Sequence, residues 1–523
     1  MPTSPIVSLV LALLFLTSAT ATETWYVRVD GGSVEECTGL VDAPYSGVGR
    51  NQPCAWAHPF IALPPGGPAR IAGGDTLHIG TGDYMMGYGA PNSDRCHQSI
   101  SYNCFMARIP SGPSPSQPTR ILGAGHDKGC TRAPELWGTE SAWMVVNMEG
   151  SSNVELACLE ITDRGSCILS HCHNGKCGGE VAACNQSTPP LGQWATTGIS
   201  ARDSSQVILR DVNIHGLANR GIHAGRISDW TLERTRINAN GWVGWDGDIP
   251  GENSANSGTL TFRQVEIAFN GCAERWPDGE IFGCWAQGGA GYGDGLGTGE
   301  TGGHWVFEDS QVHHNTSDGI DLLYLTDGGR VTIERTRVEG NAGNQVKVSR
   351  ASRISDSVII GNCGYFSDQA NMHDSDHCRG MGDAVYVGLS DGAQTQLINN
   401  VITGQGNCLV SSGESDRHSR LLLAGNLMVG SDYWHDPGKK TCLFHAGSRH
   451  GMVEWQANTI DRVRHGHCPA DSHCGAKAIR DDGRLDRIEM FEPVTPANVP
   501  SRSCRVIQRL FGLLNQGQLP LCQ

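Results

Sequence analysis

Three aspartates and one lysine have the types and spacing for chemistry. Asp318 and Asp321 lie three residues apart in NTSDGIDLLYL (315–325), a segment that otherwise reads as buried strand. Strand interiors rarely hold carboxylates without a partner. Asp294 stands in a similar Asp-Gly setting in AGYGDGLGTGE (290–300), and Lys347 follows in GNAGNQVKV (340–348). Clustered carboxylates suit a hard cation, because calcium takes about six to eight oxygens from carboxylates, carbonyls and water. No Cys or His lies within the DGID motif, which disfavours a soft metal. A lysine beside such an ion is a candidate general base. The cation lowers its ordinary pKa of about 10.4, while Asp321 acts the other way. A uronate carboxylate held on the cation has its charge neutralised, and the proton on the adjacent carbon becomes more acidic. Lysine then removes that proton and the 4-linked group departs, which is β-elimination. The same residues also fit an outward polar ladder containing a surface ion pair worth under about 1 kcal/mol.

Whatever their role, repeated elements must position these residues. WTLERTRINANG (230–241) recurs as VTIERTRVEGNAGN (331–344), and FEDSQVHHNTSDGI (307–320) has the same form. Further copies are VILRDVNIHGLANRGIHA (207–224), RISDSVIIGNCG (353–364) and TQLINNVITGQGNCLVSS (395–412). The step from Phe307 to Ile333 is 26 residues. Two or three short strands per step of this length predict an all-β solenoid, a parallel β-helix whose stacked coils share one core. Longer steps, at 270–292 and 363–381, are expected to be loops inserted on one edge. With Ile320 and Val346 as equivalent inward positions, Asp321 and Lys347 become outward neighbours about 4.8 Å apart. The same column takes in Ser200, His223, Tyr386 and Ser411, and Asp294 falls level with Asp318.

GYGDGLG, NTSDGIDLL and GNAGNQVKV together resemble the family 9 polysaccharide lyases over about residues 291–349. The resemblance implies a secreted right-handed parallel β-helix that acts on pectate-type substrates with calcium and a lysine base. It implies Asp294, Asp318 and Asp321 as calcium ligands and Lys347 as the base. Ser317 departs from the pattern, since the family has an acidic ligand there. Arg350 and Arg353 are candidates to bind uronate carboxylates. Trp242, Trp245, Trp276 and Trp285 are candidate sugar-stacking side chains in loops, and HDSDHC (373–378) has metal-ligand residue types in what is more simply a stapled loop.

Other functions fit parts of the pattern. An inverting glycoside hydrolase would use the three aspartates and leave Lys347 without a role. A uronate epimerase needs a second proton donor, for which His223 and Tyr386 are candidates. A non-catalytic carbohydrate-binding or adhesive β-helix is favoured by Ser317.

Composition bounds the rest. The 523 residues carry a formal charge of -15, which argues against a nucleic-acid-binding surface. The apolar run IVSLVLALLFL (6–16) followed by Ala19-Thr20-Ala21 reads as a signal peptide over 1–21, although no Lys or Arg precedes it. A secreted protein, extracellular or periplasmic, is expected, monomeric and free of the membrane after cleavage. Twenty cysteines agree with an oxidising compartment. The close pairs Cys96/Cys104, Cys272/Cys284, Cys363/Cys378, Cys468/Cys474 and Cys504/Cys522 are expected staples, whereas CHNGKC (172–177) lacks the second half of a zinc site. The expected organisation is a Cys-rich cap with the first coils over 22–192, the β-helix core over 193–467 and a C-terminal cap over 468–523. Asn315-Thr316-Ser317 matches a glycosylation acceptor, but a glycan there would cover the strip, so Asn315 is expected to be unmodified.

Overall fold

The computed structural model describes residues 22–164, 194–249, 255–284, 293–368, 378, 382–413, 415–446, 451–464, 469 and 471–474. The signal segment, CHNGKC, Trp285, most of HDSDHC, Cys468, the Cys504/Cys522 pair and nearly all of the C-terminal cap lie outside these residues.

The chain forms a parallel β-helix. Short apolar-polar-apolar runs become strands, and each strand hydrogen-bonds to the equivalent strand of the next coil. One face is a ten-stranded sheet running from Val146–Asn147 to Cys442–Ala446. A further 24 strands form two parallel columns, fused where the long strands Ser152–Asp163 and Ser205–His215 run through both, and two antiparallel hairpins stand apart from them. The sequence repeats stack in the expected register. Phe307 pairs with Ile333, and the column continues through Ile354, Leu397 and Leu423.

The interior is filled by one side chain per strand position. Phe262 stacks on Phe307 with ring centroids 4.6 Å apart, and Trp245 meets both Trp230 and Phe262 edge to face at 5.4 Å. Trp245 is fully buried here, so it is core and not a loop platform. Its strand, Val243–Asp246, alternates around an inward indole, and aromatic burial of this size dominates the local packing.

A corner ahead of the ten-stranded sheet carries an asparagine ladder. The Nδ2 of Asn240 donates to Asn270 Oδ1 at 3.0 Å, Asn270 to Asn315 at 2.9 Å, Asn315 to Asn341 at 2.8 Å and Asn341 to Gln345 Oε1 at 2.9 Å. Each side-chain oxygen from Asn270 onward also accepts the backbone N–H of the asparagine one rung before, so these fully buried amides are satisfied. Asn315 is thus held inside the corner of the folded chain.

Disulfides Cys96–Cys104, Cys272–Cys284 and Cys363–Cys378 staple inserted loops as the spacing predicts. Cys37–Cys54, Cys130–Cys158 and Cys408–Cys442 join partners 17 to 34 residues apart. The last of these links paired positions on neighbouring coils, a proximity that only the stacking creates.

Candidate functional site

The site forms where loop-edge residues of successive coils meet the outward row of the ten-stranded sheet. Ile320 pairs with Val346 and Asp321 with Lys347, and Lys347 pairs onward with Tyr386, Tyr386 with Ser411 and Ser411 with His445. In the other direction Asp321 pairs with Gly297, Gly297 with Asp246, Asp246 with His223 and His223 with Ser200. Asp246 was not anticipated. Its GWDGD context (244–248) carried an apolar-Asp step like Ile320-Asp321 and an Asp-Gly step like Asp318-Gly319.

Lys347 Nζ donates to Asp318 Oδ2 at 3.0 Å and to Asp321 Oδ2 at 2.5 Å. Asp318 Oδ1 accepts the backbone N–H of Asn344 at 2.6 Å and its side-chain Nδ2 at 3.0 Å, which leaves the other oxygen facing the amine. Asp294 Oδ1 accepts the Asp318 N–H at 2.9 Å. Asp321 Oδ1 accepts from Leu323 N–H at 3.2 Å. Asp294, Asp318 and Asp321 are all buried, and one carboxylate oxygen from each lies within 4.8 Å of the others.

Gly297 makes this convergence possible. A Cβ there would stand 2.8 Å from Asp294 Oδ2, so the missing side chain is the space the Asp294 carboxylate occupies. Ser317 is fully buried beside them and hydrogen-bonds Asp294.

Electrostatics report a site short of positive charge. Burial pushes Asp294 up, and the repulsion of Asp318 and Asp321 adds to it, to about 8. Asp321 is also raised by burial, with Lys347 opposing. Burial alone would depress the Lys347 amine, but Asp318 and Asp321 outweigh it and hold the amine well above the ordinary lysine range. Three carboxylates face one ammonium, and an all-oxygen set of this kind fits a hard divalent cation.

The remaining candidates fall in different places. Tyr386 is one strand from Lys347, and Gly413 leaves room for its hydroxyl, since a Cβ there would come within 2.4 Å of it. His223 is three strands from Asp321, about 14 Å away along the sheet. Burial lowers its pKa, with Asp246 opposing, and its Nε2 lies 2.9 Å from the Asp248 carbonyl. Arg350 Nε donates to the Leu325 carbonyl at 3.0 Å, and its guanidinium pairs with Asp327 and Asp391, so it ties the corner below the strip. Arg353 lies on Ala351–Ser355, in the other sheet, bonded to Gln396. The structure therefore brings together Asp294, Asp318, Asp321, Lys347 and Tyr386, and leaves His223, Arg350 and Arg353 outside that group.

One further residue extends the site. Asp383 occupies the coil position after Asn344, whose Oδ1 accepts its N–H at 3.2 Å. It accepts the Cys408 N–H at 2.7 Å and the Ser411 hydroxyl, and burial raises it to about 6. MGDAVYV (381–387) places Asp383 two residues before Val385, as Asp294 stands before Leu296 and Asp318 before Ile320, so its signal was present in the sequence.

No family model matches the chain, and neither does any curated protein. Solved structures with a similar course include the A-module of the Azotobacter vinelandii mannuronan C-5 epimerase AlgE4, at 15% identity and TM-score 0.40 over 77% of this chain and 91% of that one. The pectate lyase Pel9A has 14% identity and TM-score 0.37 over 83% of this chain and 81% of that one. An alginate lyase from Paenibacillus sp. str. FPU-7 has 12% identity and TM-score 0.34 over 80% of this chain and 95% of that one.

Proposed function

We propose that this protein is a carbohydrate-active β-helix, a carbon–oxygen lyase that cleaves an acidic, uronate-containing polysaccharide by β-elimination. The observation that carries the reading is the amine of Lys347 held against Asp318 and Asp321 beside a third buried carboxylate, Asp294. Calcium, held by Asp294, Asp318 and Asp321, would neutralise the substrate carboxylate and make the neighbouring proton more acidic.

This chain's own residues do the rest. Asp318 and Asp321 fix Lys347 Nζ at the surface of the strip, and Asn344 fixes Asp318. The neutral amine takes the proton on C5 of the uronate. That C–H electron pair becomes the C4–C5 double bond, and the C4–O bond breaks. The departing oxygen takes a proton from a donor on the same strip, a role we assign to Tyr386, whose strand pairs with that of Lys347. Charge compensation of the carboxylates weakens their hold on the ammonium, the condition under which Lys347 acts as a base.

Two alternatives are separated by distance. Inverting hydrolysis uses carboxyl groups about 6.5–9.5 Å apart with room for a water between them. Here the carboxylate oxygens lie within 4.8 Å and are buried. Epimerisation returns a proton to C5 from the opposite face, and the pairing of Lys347 with Tyr386 favours it as the second reading.

The decisive assay follows the ultraviolet absorbance of unsaturated uronate products from a panel of polyuronates, with calcium and with chelator. Calcium-dependent product that is lost in Lys347→Ala supports the lyase. Exchange of the C5 proton with solvent, without unsaturated product, supports the epimerase. No turnover, together with no calcium-dependent rise in thermal stability, overturns the site.

A further inference from the structure

The strip does not end at the charged cluster. The residue three before each inward strand position lies on one edge of the ten-stranded sheet. Ser317 has this relation to Ile320, Trp242 to Trp245 and Trp143 to Val146, and these strands belong to the same sheet. Backbone hydrogen bonds track the edge, from Thr196 N–H to Ala142 O at 2.7 Å, Asn219 N–H to Thr196 O at 3.0 Å and Trp242 N–H to Asn219 O at 2.7 Å. Ser317 N–H to Gly293 O at 3.0 Å continues the row at the site.

Two aromatic faces stand on this edge. Trp143 is 52% exposed, and among the described residues it is the one tryptophan that is not buried or half-buried. It is not loose. Its backbone N–H donates to the Tyr102 carbonyl at 2.9 Å, and its ring packs against Tyr102 with centroids 5.1 Å apart. Tyr102 belongs to the short helix Gln98–Asn103, which the Cys96–Cys104 disulfide closes. The second face is Trp242, over which Arg220 lies at 4.2 Å. A rigid exposed indole backed by a tyrosine in a stapled loop gives a flat apolar surface at little cost in side-chain entropy.

We propose that Trp143, backed by Tyr102, is a distal subsite that stacks on a sugar ring of the polysaccharide chain. The chain would then lie along the solenoid axis, over Trp242 and Arg220, to reach Lys347. From the strand of Val146 to that of Ile320 is five strand steps, about 24 Å. The occupant is therefore a polymer gripped well away from the reacting bond, and a short oligomer at the reacting centre does not touch Trp143. This inference rests on the polysaccharide reading of the site.

The test measures binding with cleavage disabled. In a Lys347→Ala background, the affinity for a long polyuronate and for a uronate trimer is compared with and without Trp143→Ala. The expected result is polymer binding about threefold to tenfold weaker and trimer binding unchanged. Trp143→Tyr should recover most of the loss, and equal thermal midpoints verify that the fold is intact. Equal polymer affinity with and without Trp143→Ala overturns the subsite, and so does an equal loss for polymer and trimer. If the wild-type protein still turns over polyuronate in either case, the proposed reaction stands. If neither the wild-type nor the Lys347→Ala protein engages any polyuronate, both readings fall.

Discussion

At the residue scale, the site is a question of charge. Asp294, Asp318 and Asp321 crowd three carboxylates around one ammonium, and Gly297 and Ser317 decide how they fit. Gly297→Ala drives a methyl into Asp294 Oδ2, at 2.8 Å in the present geometry, and must displace that carboxylate. The expected outcome is a protein that folds with nearly unchanged stability in chelator but loses most of its calcium-dependent thermal shift, read by scanning calorimetry. Ser317→Asp works in the opposite sense. It adds a fourth acidic group to a buried cluster, so it should destabilise the chelated protein by about 1–3 kcal/mol while enlarging the shift that calcium produces. Denaturant titration with and without calcium reads both effects. The Asp318–Asp321 pair and its partner lysine were legible in the sequence, because repeat alignment converts a 26-residue step into adjacency. Asp246 and Asp383 were passed over although they carry the same Asp-before-or-within-strand pattern. Arg353 was grouped with the site because it is close in sequence to Lys347, but the corner at Arg350 turns the chain onto another sheet.

At the element scale, stability lies in the corners as much as in the core. Asn315 donates to Asn341 Oδ1 and to the Ile267 carbonyl, and accepts from both nitrogens of Asn270. Asn315→Ala leaves several buried polar groups without partners at once, so a loss of about 2–4 kcal/mol is expected in urea unfolding. Intact-mass measurement of the protein expressed through a eukaryotic secretory pathway should show Asn315 unglycosylated. The corner asparagines were visible in the repeats as a turn residue before Gly or Asp-Gly. Their role was not, because a buried amide that bonds to the next coil looks in sequence like any turn former. The loop staples were legible from short spacing, whereas Cys37–Cys54, Cys130–Cys158 and Cys408–Cys442 required the stacking to be known.

At the scale of the whole molecule, the inserted hairpin Cys272–Arg275 and Glu280–Cys284 is clamped to the solenoid by a charged bridge. His215 Nε2 lies 2.9 Å from Glu160 Oε1, and its Nδ1 bonds Glu274 in the hairpin. Burial pulls the imidazole pKa down, but the hydrogen bonds to Glu160 and Glu274 overcome this and lift it to about 9. A raised folded-state pKa means that the stabilisation is complete below the unfolded value of about 6.5 and is lost as pH rises toward 9. The thermal midpoint of the wild-type protein should therefore fall across that window. His215→Gln should be less stable at pH 6 and should lack that part of the slope, as measured by calorimetry at a series of pH values.

The asparagine ladder has a direction. Each asparagine Nδ2 donates once to the next rung's side-chain oxygen and once to a backbone carbonyl of the coil before, and each side-chain oxygen from Asn270 onward accepts from the rung before, until Gln345 turns its Nε2 onto the Asn341 and Gly343 carbonyls. A growing or refolding chain that has completed coils only up to Asn315 exposes a donor that the next coil alone can fill. In an assembly that starts from the N-terminal end, each docked coil would offer its successor that donor and be secured by it in turn. The ladder closes on the coil that carries Lys347, so in such an order the amine of Lys347 arrives with the last rung.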